Sequence, residues 1–395
     1  MLAKLQNWLI KQSNVLFSWK TEDSNHIPKP KPSPRELPAN IKQQIQDKIN
    51  HLDNNPTEEE AIIETLDNAF ERWLNNPETA DNSVVILSSP VTAVSPLIAD
   101  SIKQWSLQKQ IVIKVLPLDG RPTDMKRIVS ILEDFLQEQE QNIKTKQDIS
   151  EIFVIPNLDF CFLRSVEGLD TIEYLQSLFC QHPQQRFWII GANEVSWQYL
   201  NLVSNISAFC GEVFVLPKLS PETLQEWLNP IIESFDIGLD KFKIEQQILE
   251  DTGETNQDDW KKYFEHLADI SEGGSIVTAQ LFLNSIYQKK ETEEGEESEE
   301  TEEKLLTNYP ELSDLPLINF PEQYILYSLL LHGSLTLSDL AESLGDDKGE
   351  VTGKVQVLRR QGLIQKHNQM LTINPYHYPK LKQKLSSNNF IMNGE

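Results

Sequence analysis

Between residues 84 and 216, short continuous apolar runs alternate with helical patterns. The runs are Val84-Val85-Ile86-Leu87, Ile111-Val112-Ile113-Lys114-Val115, Ile152-Phe153-Val154-Ile155, Phe187-Trp188-Ile189-Ile190 and Val213-Phe214-Val215. Helical periodicity fills about 96–107, 122–143, 168–181 and 195–204. A strand apolar on both sides needs cover on both sides, and strands separated by helices pair in parallel. The pattern predicts an α/β fold over residues 81–218, with a doubly wound parallel five-stranded sheet.

The flanks divide the remaining chain. Residues 1–20 place Leu2, Leu5, Trp8, Leu9, Val15, Leu16 and Trp19 among Lys4, Lys11 and Lys20, with no acid. Such a basic amphipathic segment can lie in a membrane interface, dock in a partner's groove or pack on its own domain. Trp8, Trp19, Lys4 and Lys11 are its candidate contact residues. Residues 21–38 carry five prolines and read as an extended linker. Residues 39–80 form a helical extension, with helices near 39–53 and 57–75; Pro56-Thr57-Glu58-Glu59-Glu60 is a strong helix start. Residues 219–288 read as wholly helical, and nine glutamates between Lys289 and Lys304 make 289–309 an acidic, solvated linker. Residues 310–392 give three helices ending near Gly333, Gly345 and Gly362, then a hairpin turning at His367-Asn368 and a final helix. That order predicts a winged helix.

The first strand and its helix frame a loop with the place, but not the chemistry, of a phosphate site. A P-loop would read G-x-x-x-x-G-K-[ST], its glycines letting N–H groups converge on phosphate and its lysine adding charge. Here Ser89 and Val94 stand for the glycines, Ser95 for the lysine and Pro96 for the magnesium-holding hydroxyl. Val94 is β-branched where close approach is required, and Pro96 offers neither N–H nor hydroxyl. A plain turn with no such ancestry remains the competing reading. The third strand should end in acids that hold Mg²⁺ and orient water. Pro156 and Asn157 follow it instead, with Asp159 two residues beyond.

The order of α/β domain, helical lid and winged helix over roughly 80–390 resembles the AAA+ and STAND-type ATPases of bacteria. The stretch Cys161-Phe162-Leu163-Arg164, Gly168-Leu169-Asp170, Arg186-Phe187-Trp188-Ile189-Ile190 and Trp197-Gln198-Tyr199-Leu200 carries the resemblance most closely. It extends into the lid at Leu267-Ala268-Asp269-Ile270-Ser271-Glu272-Gly273-Gly274. The resemblance implies a P-loop-like sheet, an all-α lid and a C-terminal winged helix. It puts a γ-phosphate sensor at Asn193, which the residues alone read as the cap of the next helix. Arg164 falls between an arginine finger and an exposed ion pair. No sensor arginine lies between Ser271 and Tyr287. Relatives form rings or switch between monomer and oligomer, so homo-oligomers stay open.

A net charge of −25 works against non-specific contact with nucleic acid or anionic lipid. The reading helix of the winged helix begins among Asp346, Asp347 and Glu350, with only Lys348 opposing. Protein contact or internal packing is therefore expected there rather than DNA. Cys161, Cys180 and Cys210 have no metal spacing, the histidines stand isolated, and no apolar run is long enough to span a bilayer. The expectation is a cytoplasmic, non-catalytic scaffold or regulator with protein partners, peripheral to a membrane if residues 1–20 meet lipid. Its winged helix would swing on the acidic tether. No cofactor or metal is expected. Two alternatives remain: a weak ATPase using ATP and Mg²⁺, and a DNA-binding regulator.

Overall fold

The structure, a computed structural model, describes residues 37–140, 151–240, 259–290 and 303–392. Trp8, Trp19, Lys4 and Lys11 lie outside them. The chain opens with α1 (Ala39–Ile49) and α2 (Pro56–Asn75). The central domain then runs β1 (Ser83–Ser88), α3 (Val94–Lys109), β2 (Ile113–Val115), α4 (Lys126–Glu140), β3 (Glu151–Ile155), α5 (Asp170–Phe179), β4 (Arg186–Asn193), α6 (Glu194–Ser204) and β5 (Glu212–Val215). All five strands are parallel, in the order β2-β3-β4-β1-β5.

Alternation along the strands explains the double winding. Val84, Ile86, Ile152, Val154, Phe187 and Ile189 face α2 and α3, while Val85, Leu87, Phe153, Ile155, Trp188 and Ile190 face the opposite core. On the first face Phe70 meets Trp73, Trp105 and Phe187 at ring-centroid distances of 5.8, 5.4 and 5.5 Å. The Trp73 indole N–H donates to the Pro183 carbonyl at 2.8 Å, so its polar tip is satisfied inside an apolar wall. β2 is shorter than its apolar run suggested, because Ile111 and Val112 precede the pairing with β3 and Val112 is exposed. β4 is longer, because pairing with β1 extends to Asn193. Glycine is required at 191: a Cβ there would come within 2.4 Å of both the Pro156 carbonyl and Ile98.

The next unit contains α7 (Pro221–Ser234), β6 (Gly238–Leu239), α8 (Asp259–Ile270), α9 (Ser275–Ser285), β7 (Ile286–Lys290) and β8 (Glu303–Thr307). Residues 219–288 and the flanks of the expected acidic linker therefore contribute strands as well as helices. β7 and β8 pair antiparallel, and β6 joins β8. Their anchor is a buried hydroxyl cluster, in which Tyr263 bonds Ser285 at 2.8 Å and Thr307 at 3.0 Å. The Glu-rich run between the two strands, 291–302, lies outside the described residues.

The last unit has α10 (Phe320–His332), β9 (Leu335–Thr336), α11 (Leu337–Leu344), α12 (Lys348–Arg360), β10 (Ile364–His367), β11 (Met370–Ile373) and α13 (Tyr378–Ser387). Its small sheet has the order β10-β11-β9. Capping boxes start α10 at Asn319/Glu322 and α11 at Thr336/Asp339. This unit does not hang free of the rest. Its buried side chains belong to the same continuous core as α4, α5, α6 and the preceding helical unit. Lys382 of α13 is also paired with Glu272 at 2.5 Å. Among the described residues, no helix is long and apolar enough to cross a membrane.

Candidate functional site

Strand order locates the crevice. After β1 the chain passes over β4 and β3 to reach β2, and after β2, β3 and β4 it moves the other way. Ligands of open α/β sheets bind where adjacent strands send their connections in opposite directions, beyond their carboxyl ends. Here that point lies between β1 and β4, whose last paired residues are Ser88 and Asn193.

The β1 side is closed by its own backbone. The Thr92 N–H donates to the Ser89 carbonyl at 2.9 Å, closing a tight turn. The Ser88 hydroxyl faces the Ser89 and Thr92 carbonyls at 3.3 and 3.2 Å. Pro90 and Pro96 supply no N–H. Val94, Ser95 and Pro96 are buried in the first turn of α3, where Ser95 Oγ makes only a long 3.5 Å contact with the Pro156 carbonyl. The loop therefore presents carbonyls and apolar surface where a phosphate needs converging donors. Ser89 Oγ is buried without a good hydrogen-bond geometry. The Tyr378 phenol of α13 stands near enough to be influenced by it, its pKa raised chiefly by burial.

The β3 and β4 side keeps a polar cluster. Asn157 accepts the Asp159 N–H at 2.9 Å and caps a short 3-10 turn, Leu158–Cys161. That turn carries the Asp159 carboxylate to the end of β4. There it accepts from Asn193 Nδ2 at 2.7 Å, from the Asn193 N–H at 3.3 Å and from Ser196 Oγ. Asn193 Oδ1 in turn accepts the Ser196 N–H at 2.9 Å and caps α6. Asp159 and Asn193 are each 2 % exposed. Burial raises the Asp159 pKa, while donors from Ser196 and Asn193 and the charge of Arg121 pull it down.

What meets this cluster is the chain's own C-terminal unit. Asn193 Nδ2 also donates to the Leu331 carbonyl at 3.2 Å. Arg121, in the loop between β2 and α4, donates to the Phe162 and Ser334 carbonyls at 3.0 Å each, and to the Asp159 carbonyl. Burial brings the Arg121 pKa down to about 10, although Asp339 and Asp159 hold it up. Gly333 turns the chain at φ +67° beside Asp159, which brings Ser334 within reach. The carbonyl end of α10 carries the negative pole of its helix dipole. That end meets the β4 side of the crevice through Asn193 and Arg121.

Arg164 is neither a free finger nor a surface ion pair. Its guanidinium donates to the Ser343 carbonyl at 3.2 Å and Ser328 Oγ at 3.4 Å, and lies 6.0 Å from the Tyr324 ring centre. His332, read from sequence as an isolated helix residue, is fully buried in the same seam and packs on Phe162 with ring centres 4.8 Å apart. Arg121, His332 and Tyr378 leave no signal in the sequence, because their partners lie far away in the chain. Among the described residues, no group of three or more His, Cys, Asp or Glu is placed to hold a metal ion.

No family model matches the chain, and no curated protein matches it. Solved structures do. A RuvB variant from Thermotoga maritima is 16 % identical, with 82 % of this chain and 94 % of that chain covered at a TM-score of 0.31. Cdc6p from Pyrobaculum aerophilum is 14 % identical, with 95 % and 98 % covered at 0.30. PCH-2 from C. elegans is 11 % identical, with 65 % and 69 % covered at 0.36.

Proposed function

We propose that this chain is a non-catalytic scaffold or regulatory protein of AAA+/STAND design, in which the C-terminal winged helix takes the place of the nucleotide. One observation carries the reading: Asn193 and Arg121 spend their donors on the Leu331 and Ser334 carbonyls at the end of α10. The self-closed turn at Ser89–Thr92 and the buried Val94 and Pro96 support it from the other side. A chain built this way acts by presenting surfaces to other proteins. Asp346, Asp347 and Glu350, exposed at the start of α12, favour a protein over a polyanion on that face.

A second reading, a slow ATPase, draws on Asp159, an acid beside the sensor position that would be released if the C-terminal unit moved. Phosphate release separates the two. Purified protein with Mg-ATP should release no phosphate above a heat-killed control. Turnover that disappears in Asp159→Asn would favour the enzyme.

A further inference from the structure

His332 is placed in contradiction to its own chemistry. Arg121 Nη2, a donor, faces His332 Nδ1 at 3.2 Å. The Arg164 main-chain N–H, also a donor, faces His332 Nε2 at 3.3 Å. A neutral imidazole has one acceptor nitrogen and one N–H, so whichever tautomer forms, one of these contacts sets donor against donor. An imidazolium would make both repulsive and would add a positive charge beside two guanidiniums. The docked unit thus tolerates the neutral ring under strain and has no accommodation for the charged one. Unsatisfied polar groups buried in native folds often mark stored strain.

We propose that His332 is a proton-operated release for the C-terminal unit, so that protonating its ring in mild acid undocks that unit from the crevice. The proposal rests on the reading of α10 as the crevice's occupant and assigns that contact its regulation. Every packed element is consistent with it. The loop before α4 contributes Arg121, and the segment after β3 contributes Arg164, Asp159 and Cys161. Around these two arginines, Tyr199, Tyr324 and Tyr327 lie by Arg164 and Asp339 by Arg121. The Asp159 carboxylate is turned to Asn193 and Ser196. Asp339 Oδ2 accepts the Thr336 N–H at 3.3 Å in the α11 cap. Burial pushes Cys161 and Tyr327 each up to about 12, so neither supplies negative charge at neutral pH. Among the described residues, the ring's polar contacts are the Arg121 guanidinium and the Arg164 N–H, neither of which can accept a proton from it.

Burial, then Arg121 and Arg164, hold the His332 pKa well below its ordinary 6.5. For a group whose pKa is depressed when docked, docking is at full strength above the undocked value and weakens as pH falls below it. The docking equilibrium should shift about tenfold toward the open form for each pH unit below about 6.5. Burial also raises the Asp159 pKa. A variant comparison isolates the histidine.

Hydrogen exchange of the full chain between pH 7.5 and 5.5, corrected for the intrinsic rate, tests the proposal. Peptides covering 328–336 and 118–126 should lose protection about tenfold per pH unit below about 6.5, while the amides of β1 keep theirs. His332→Phe keeps the ring packed on Phe162 and removes the titration. His332→Gln removes the titration while keeping a polar side chain. Either should flatten the response. Unchanged protection in the wild type down to pH 5.5, or an equal response in a folded variant, overturns the proposal. A pH-insensitive seam without ATP binding would sink the release alone, whereas ATP binding at pH 7.5 would sink the scaffold reading.

Discussion

The two sides of the crevice place their hydrogen-bonding groups in different ways. On the β1 side, the Thr92 N–H and the Ser88 hydroxyl serve their own turn, and Ser95 Oγ makes only a long contact with the Pro156 carbonyl. On the β4 side, Asp159, Asn193 and Ser196 are buried, mutually bonded and joined to the C-terminal unit through Leu331. One side is a tight βα turn, and the other is a buried polar cluster bonded to the C-terminal unit. The buried carboxylate is the better satisfied of the two regions, with Ser89 Oγ on the other side lacking a well-formed hydrogen bond.

Substitutions can break that contrast. Asp159→Ala removes the buried acceptor shared by the Asn193 amide, the Asn193 N–H and the Ser196 hydroxyl. It should cost roughly 3 kcal/mol in urea unfolding at pH 7.5. A cost under about 1 kcal/mol would mean that the cluster is slack. Arg121→Ala strands the Phe162, Ser334 and Asp159 carbonyls at the seam and should cost about 2 kcal/mol. Its loss of hydrogen-exchange protection should concentrate at residues 330–336. Uniform loss over the whole chain would deny Arg121 its place as a clamp.

A third point of comparison lies where α2 meets α9. Glu58 is buried with only Ser275 Oγ at 3.4 Å, and burial brings its pKa up from 4.5 to about 7. A carboxyl raised in this way contributes stability that is full below pH 4.5 and is lost as pH rises through about 7. Glu58→Gln should therefore be stabilising by about 1–2 kcal/mol at pH 8 and near neutral at pH 4.5. A pH-independent effect would show that the carboxyl stays ionised. The smallest effect belongs to the β1 side. Ser95→Ala removes only a 3.5 Å contact and should change stability by less than about 0.5 kcal/mol. A large loss there would erase the difference between the two sides.

Much of the architecture was legible because burial on both faces leaves a plain mark. The apolar runs at Val84 to Leu87 and Ile152 to Ile155 could be little else than covered strands, and the boundaries at Pro56 and Ser220-Pro221 follow cap chemistry. The β7–β8 pair was not legible. Gln288-Lys289-Lys290 and Glu303-Lys304 look like the shoulders of a charged linker, and pairing across a gap leaves no local pattern. The degenerate loop could be read residue by residue, since P-loop chemistry depends on residue types at fixed spacing. The seam could not. Arg121 meets His332 across 211 positions and Arg164 meets it across 168, and no periodicity records such a contact. For the same reason the C-terminal unit was expected to swing, whereas its core is continuous with that of the sheet domain.

The central claim is that the end of α10 holds the position a nucleotide would take. Calorimetric titration of the full chain with Mg-ATP at pH 7.5 tests it most directly. The account predicts no heat of binding. Micromolar affinity that is lost on Thr92→Ala or Asp159→Asn would contradict it.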